Sequence, residues 1–529
     1  MKGLSKSWKI IQGGMGVYIS GWRLARAVSL PKSFVSFWRF VAWIFNIFGK
    51  KYIYGGGQLG TLSGVALHRI VPRILQMGDP GGHIRRALSH FPFPAIAQKV
   101  IDTFYVEGGI KKGTPFKAVP VFTINPTHLL ICTTICSNYA FVWLAKEKNP
   151  NPISINYLEK VAMPHVYAIF GAILAGVDFI TMGAGIPLQI PKLIEDIVEG
   201  REATYRIPVI GKNITSYTMT FDAKKFFGSE LPKMKKPGFI PIISSNLLAN
   251  IFMKKLPPGS VFGFVVEEPT AGGHNAPPRK PIFDEHGNPK PIYGEKDVVD
   301  YPALASLGVP FWIGGSYASP EKLKWALSVG AAGIQAGSIF ALSEDSNMDP
   351  NIRKKIRKRG FEGTLIVKTD MRISPTGFPF KIVDLEDTIA NSEVYEARTR
   401  ICNQSELVSL YERPDGKVGY RCPAEPVDDQ FVRKGGDPAD TVGRGCLCNG
   451  LITTGGLGDE EEPPVVTLGD DVSFLPFLMK NAEDSYSADE AIKYLLGKIK
   501  DPKYSGSFFK ILSTQLMRPP NSLRSRFRL

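Results

Sequence analysis

Short apolar runs ending in glycine or a turn recur along the chain. Each reads as a strand buried on both faces, because apolar residues continue without the alternation of a half-exposed sheet. The runs lie at 9–17, 58–64, 152–157, 178–183, 239–245, 261–267, 310–315 and 333–337. Between most of them the pattern changes to helical spacing, over 66–112, up to Lys146, around Leu174, and over 247–255 and 320–329. Ser20 is expected to cap a helix beginning at Trp22, and 119–125 to add a strand before the helix that ends at Lys146. Eight strand–helix units argue for a closed barrel over an open doubly wound sheet. The expected fold is therefore α/β, a TIM (β/α)8 barrel with helical insertions and a C-terminal extension that contains cysteines. The barrel takes residues 1–345, with insertions at about 29–56 and 66–150, and the extension takes 346–529.

One insertion, 34–48, is rich in aromatic residues and carries Arg39. It is shorter than the roughly 20 residues that cross a bilayer, so no transmembrane span is read there. Its aromatics fall on more than one face, which suits burial against another subunit, hence a homo-oligomer, with peripheral membrane contact as the alternative.

A chain of 529 residues is too long for one compact core unless that core is a barrel with additions. The net charge of +15 raises the question of nucleic acid. Much of it sits in 353–359 and 498–528, where no aromatics are spaced for base stacking. These stretches read as solvated helix faces and a basic tail, so no nucleic-acid partner is expected, although a basic surface can steer an anionic substrate. Six cysteines in so long a chain do not make a disulfide scaffold, and the N-terminal stretch has no signal-type apolar core. A cytoplasmic location is expected.

In such a barrel the chemistry gathers at the carboxyl ends of the strands. Strand one ends in Gly13-Gly14-Met15-Gly16 and strand four in Gly183. Strand six runs through Glu267 and Glu268 into Gly272-Gly273-His274. Strands seven and eight end in Gly314-Gly315 and Gly337-Ser338, each leading toward a helix start. Paired glycine ends of that kind are what a phosphate needs, since backbone N–H groups must converge without side chains in the way.

Together, Ile11-Gln12-Gly13-Gly14-Met15-Gly16, Gly272-Gly273-His274, Ile313-Gly314-Gly315 and the segment from Gly330 to Phe340 resemble the nitronate monooxygenase (2-nitropropane dioxygenase) family. That family is related to flavin-dependent enoyl-ACP reductases. The resemblance covers about residues 8–345 and implies FMN, with its phosphate on Gly314, Gly315, Gly337 and Ser338 and its ring along Gly14, Met15 and Gly16. It makes His274 the catalytic histidine. Glu267 and Glu268, at the same strand end, are candidates to hydrogen-bond the ribityl chain or orient that histidine, with a surface-loop place for one of them as the alternative. Lys160 is a candidate to balance charge near the ring. The chain departs from the family at strand one, which reads Gly-Gly-Met, and at Asn275, where an arginine is usual. The implied activity is an FMN-dependent oxidation of nitronates or related activated carbon acids. The alternatives are an NAD(P)H-dependent enoyl-thioester reductase and a phosphate-binding barrel without redox chemistry.

Beyond the barrel, 374–381 is a turn-rich aromatic loop suited to a lid. Cys402, Cys422, Cys446 and Cys448 suit a zinc ion or an iron–sulfur cluster by number, but offer one C-x-C and no C-x-x-C. Buried free thiols are the alternative. Cys132 and Cys136 read as small core residues. The acidic stretch 455–464 is expected to be exposed, and 487–500 to form a helix capped by Ser487.

Overall fold

The computed structural model describes residues 8–31, 57–285, 287–459 and 462–499. The aromatic insertion 34–48 and nearly all of the basic tail lie outside the described residues, and with them the subunit and membrane expectations.

Eight parallel strands form the central sheet: β1 Ile10–Gln12, β2 Gly60–Ser63, β3 Ile153–Leu158, β4 Phe179–Gly183, β5 Gly238–Ile243, β6 Phe264–Glu267, β7 Phe311–Gly314 and β8 Gly333–Ala336. Each pairs with its neighbours in chain order, and β8 pairs with β1. The sheet closes where Ile11 bridges Leu59, with Gln12 N–H donating to Leu59 O (2.9 Å) and Leu59 N–H to Ile10 O (3.1 Å). This is a TIM barrel, and each predicted strand run contains one barrel strand.

Two apolar layers explain the continuous hydrophobic runs. Trp8, Ile11, Leu59, Phe179, Ile240, Val265 and Trp312 pack together inside the barrel, where Trp312 Nε1–H donates to Trp8 O (3.0 Å). The alternating residues, such as Ile10, Phe264, Val266, Ile313 and Ile334, face the helices. A strand apolar on both faces is what closure inside a ring of helices demands. Helix His128–Lys146 is long and apolar enough to cross a membrane, but 78% of it is buried among its neighbours, as befits a core helix. Cys132 and Cys136 are buried on it.

Several local expectations are corrected. Residues 119–125 form no strand; Pro120 and Pro126 remove ladder donors there. The 66–112 stretch is three helices, Leu67–Gln76, His83–Leu88 and Pro94–Phe104, broken by Gly81-Gly82 and by a proline-rich turn. Helix Trp22–Ser29 has Gly21 at its N-cap, and the Ser20 oxygen accepts instead from Gln12 Nε2 (2.8 Å) and Met15 N–H (2.9 Å). The last described helix, Ala488–Leu495, carries the predicted Ser487 capping box but ends early, where Gly497 turns left-handed (φ 67°). Glu462, expected in an exposed loop, is buried without a hydrogen-bond partner, and burial pushes its carboxyl up to about 7.

A second, four-stranded sheet was not foreseen. Ala203–Ile210 and Ser216–Phe221 form a hairpin, Ser409–Glu412 of the C-terminal extension pairs parallel with Ala203–Ile210 through Leu410 and Val209, and Val418–Arg421 pairs antiparallel with Ser409–Glu412. The extension is also clamped over β2. Glu406, buried, accepts from Arg69 Nε (2.8 Å) and shares a 2.8 Å hydrogen bond with His68 Nε2. Arg69 also donates to Gln404 O (2.9 Å). Burial opposes the Glu406 charge, but His68 and Arg69 outweigh it and hold the carboxyl down at about 2.

Replacing Glu406 by Ala leaves Arg69 buried and unpaired, so a loss of roughly 3–5 kcal/mol in urea unfolding is expected. Because the folded carboxyl is depressed, its contribution is present above the ordinary carboxylate range and is lost as pH falls toward 2. The stability gap between wild type and Glu406→Ala should therefore narrow with acid.

Candidate functional site

A cavity of about 250 Å³ opens at the carboxyl ends of the barrel strands. Gly14, Met15, Gly16, Gly183, Glu267, Gly272, Gly273, His274, Gly314, Gly315, Gly337 and Ser338 all line it. Residues spread over more than 320 positions thus meet at one mouth because parallel register brings the strand ends level. Glu267 stands opposite Gly314, Gly314 opposite Gln335, and Gln12 opposite Ala336.

The floor is bare backbone. A Cβ on Gly14 would meet Asn156 Cβ at 2.3 Å, so only glycine lets β1 lie this close to β3. Asn156 then holds the turn, donating from Nδ2 to Gly14 O (3.0 Å) while its Oδ1 accepts from Thr181 (3.0 Å). Gly315 has φ 103°, and its Cβ would sit 2.9 Å from Thr270 Oγ1. That Thr270 hydroxyl is buried and has no hydrogen-bond partner. The helix after β8, Ser338–Ala341, begins at the same rim.

His274 stands at the wall. Its Nε2 shares a 2.7 Å hydrogen bond with Ser374 Oγ, and its ring meets Phe380 edge-on at 4.9 Å. The loop carrying those two residues is pinned to the histidine segment: Lys381 N–H donates to Gly273 O (2.9 Å) and Asn275 N–H to Pro379 O (2.9 Å). The expected lid is thus a fixed wall laid along the histidine strand. Asn275 braces the turn through Nδ2 to Ala271 O (3.0 Å).

Lys160, beyond the end of β3, has a buried Nζ without a hydrogen-bond partner, lying 2.8 Å from the centroid of the Phe378 ring. Burial lowers its pKa to about 7. Burial, and after it the Lys160 charge, lowers His274 to about 3, so the imidazole is neutral at ordinary pH.

The neighbouring acids divide sharply. Glu267 faces the cavity and burial pushes it up to about 8, which keeps it protonated near neutrality. Ser374, not Glu267, orients the histidine. Glu268 turns away and accepts from the hydroxyls of Tyr301 and Tyr317.

The extension completes the mouth. Gly469 N–H donates to Ser338 Oγ (2.9 Å), Thr467 Oγ1 accepts from Gly273 N–H (2.7 Å), and Asp470 N–H donates to Thr270 O (3.1 Å). Asp470 is paired with the buried Lys381 (2.7 Å). Glu406, Leu407, Cys448, Leu451 and Asp471 also reach the cavity. Of the four extension cysteines, Cys448 alone lines it; Cys402, Cys422 and Cys446 stand behind. Among the described residues no three His, Cys, Asp or Glu side chains already surround a point that would hold a metal.

From sequence, Asn156, Thr270 and the 467–471 segment are not singled out, and Ser374 is reached only as part of the 374–381 loop. Asn156 carries a signal, since it and Ser154 are polar residues in a buried strand. The partners of Ser374 and Thr467 carry none, lying 100 and 194 positions away.

No family model matches the chain, and no curated protein matches it. Among solved structures it resembles FabK from Thermotoga maritima at 14% identity, over 96% of this chain and 95% of that chain, with a TM-score of 0.41. A nitroalkane oxidase from Streptomyces ansochromogenes is 10% identical over 94% of this chain and 97% of its own, with a TM-score of 0.41. The enoyl reductase domain of MlnA, from the macrolactin biosynthesis cluster of Bacillus amyloliquefaciens, is 10% identical over 96% of both chains, with a TM-score of 0.40.

At Gly337 a Cβ would make only ordinary contact with Met15 (3.6 Å), so a larger side chain is tolerated by the fold but projects into the cavity. Gly337→Val is therefore expected to keep its melting temperature, measured by calorimetry, within a few degrees.

Proposed function

We propose that this chain is an FMN-dependent oxidoreductase of nitronate monooxygenase type, acting on a small anionic carbon acid with His274 as the proton-transfer group. One observation carries this reading: a buried neutral imidazole lines a cavity floored by bare backbone, with the buried Lys160, which has no hydrogen-bond partner, near enough to depress it.

The residues fit the cofactor. Gly314, Gly315 and Gly337 leave open backbone at the β7 and β8 ends, and the orphaned Thr270 hydroxyl offers a donor beside them. Ser338 Oγ accepts from Gly469 N–H, which leaves its own hydrogen free for an anion. Gly14, Met15 and Gly16 would lie along the ring. Bound there, FMN supplies the electron acceptor and donor that no side chain of the site provides.

The protein's own part is proton handling. Ser374 fixes Nε2, which leaves Nδ1 to accept or return a proton at the carbon beside the electron-withdrawing group. An anionic substrate next to Lys160 offsets the charge that depresses His274, so the imidazole becomes a stronger base only when the substrate is in place. The Ser374–Lys381 wall and the 467–471 segment keep water from that encounter. Enoyl-thioester reduction with NAD(P)H is the second reading, favoured by the apolar wall of Val17, Ile19, Val65, Val161, Leu407 and Leu451, which suits an acyl chain.

The purified protein should show a flavin absorption spectrum and consume oxygen with the nitronate of a simple nitroalkane. A colourless protein that FMN does not reconstitute defeats both flavin readings, and NAD(P)H oxidation driven by an enoyl thioester, without nitronate-dependent oxygen uptake, selects the second. His274→Ala should retain flavin and lose about 10²–10⁴-fold in kcat/KM.

Lys160 sets a pH limit. Its ammonium is present below about 7 and lost above, so kcat/KM for the anion should fall as pH rises through that value. Lys160→Met should be at least about tenfold slower at pH 6 and flat across the same range. A wild-type profile that stays level from pH 6 to 9 removes Lys160 from substrate binding.

A further inference from the structure

Behind His274 two hydroxyls continue the hydrogen bond that the histidine makes. Ser374 Oγ, which shares the 2.7 Å bond with His274 Nε2, lies 2.8 Å from Thr376 Oγ1. His274 lines the cavity, whereas neither Ser374 nor Thr376 does. Ser374 is fully buried, Thr376 is half-buried, and Gly377 and Phe378 are exposed. The three groups form one hydrogen-bonded line that starts at a buried ring nitrogen and ends beside solvent.

The local sequence builds this pair. Ser374-Pro375-Thr376-Gly377 closes a turn in which Gly377 N–H donates to Ser374 O (3.1 Å) and Gly377 takes φ 75°. Serine at the first position of such a turn bends its oxygen back to accept from Thr376 N–H (3.3 Å), which sets the two hydroxyls side by side. Arg444 holds the turn in place, donating to Ser374 O (2.6 Å) and to Arg372 O (2.7 Å).

The backbone bond constrains the protons. With one lone pair committed to Thr376 N–H, Ser374 Oγ keeps one acceptor site and one proton for its two remaining partners, His274 Nε2 and Thr376 Oγ1. Two arrangements satisfy both. In one, Nε2–H donates to Ser374, the Ser374 hydroxyl donates to Thr376, and Nδ1 is a free base. In the other the line runs the opposite way: Thr376 donates to Ser374, Ser374 donates to Nε2, and Nδ1 carries the proton.

Given the proton-transfer role proposed for His274, we infer that Ser374 and Thr376 are its proton relay, exchanging the Nε2 proton with solvent while Nδ1 serves the substrate carbon. A proton accepted at Nδ1 is matched by one leaving Nε2 for Ser374 Oγ. The Ser374 proton passes to Thr376 Oγ1, and the Thr376 proton goes to water. A proton given up at Nδ1 is replaced along the same line in reverse, so a cycle that does both restores the ring and the hydroxyls. The ring stays neutral throughout, which matters because burial, and after it the Lys160 charge, disfavours the imidazolium.

NMR of the full chain as purified, ¹⁵N-labelled at its seven histidines, follows the Nε2 proton, with His274→Gln assigning the signal. Thr376→Val removes the hydroxyl at little change of shape, and Thr376→Ser keeps it. Exchange of the Nε2 proton with water should slow at least about tenfold in Thr376→Val and return to the wild-type rate in Thr376→Ser. In turnover, Thr376→Val should lower kcat at least about tenfold with KM unchanged, and enlarge the solvent deuterium isotope effect. Should the valine variant not fold, Thr376→Ala removes the same hydroxyl. Equal exchange rates with and without the hydroxyl overturn the relay, and so does a Thr376→Ser variant as slow as Thr376→Val. An unchanged kcat in the active enzyme does the same. The exchange measurement needs no turnover, so failure of the relay is distinguishable from failure of the oxidoreductase reading.

Discussion

Everything at the mouth depends on the parallel register of β6, β7, β8 and β1. Parallel strands closed into a barrel end at a common level, so Glu267, Gly314, Gln335 and the Gln12–Ala336 pair form one rim. The residues just beyond them therefore converge on one space. A shift of one residue would turn Val265 and Trp312 out of the barrel interior and move the glycines off the rim. The same apolar packing that stabilises the barrel positions its chemistry.

That space is electrostatically unusual because its titratable groups are buried. Burial keeps His274 neutral and protonates Glu267, both on the cavity wall, and lowers Lys160 close by. The wall formed by Phe378 and Phe380 and the segment around Gly469 are thus part of the chemistry, although no side chain of that segment needs to react.

The extension is accordingly integral to the barrel. It adds a strand to the side sheet through Leu410, anchors on Arg69 through Glu406, and reaches the end of β8 through Gly469. Its Cys448 lines the cavity.

By itself the chain determined the barrel and its rim. Eight apolar runs ending in turn residues are local signals, since a strand buried on both faces must be apolar throughout and a tight, ligand-facing end must be glycine. Every glycine singled out, together with Met15, Glu267, His274 and Ser338, lies on the cavity wall for that reason. Tertiary structure alone decided what touches those residues. That Ser374 rather than Glu267 holds His274, that Thr467 receives the Gly273 amide proton, and that Glu406 pairs with Arg69 are contacts between segments 100 to more than 300 positions apart. No periodicity encodes such a contact, because each partner is locally an ordinary polar residue whose meaning comes from burial. The side sheet is tertiary for a related reason: the hairpin Ser409–Glu412 with Val418–Arg421 joins Ala203–Ile210, about 200 positions earlier, through Leu410 and Tyr411 alone.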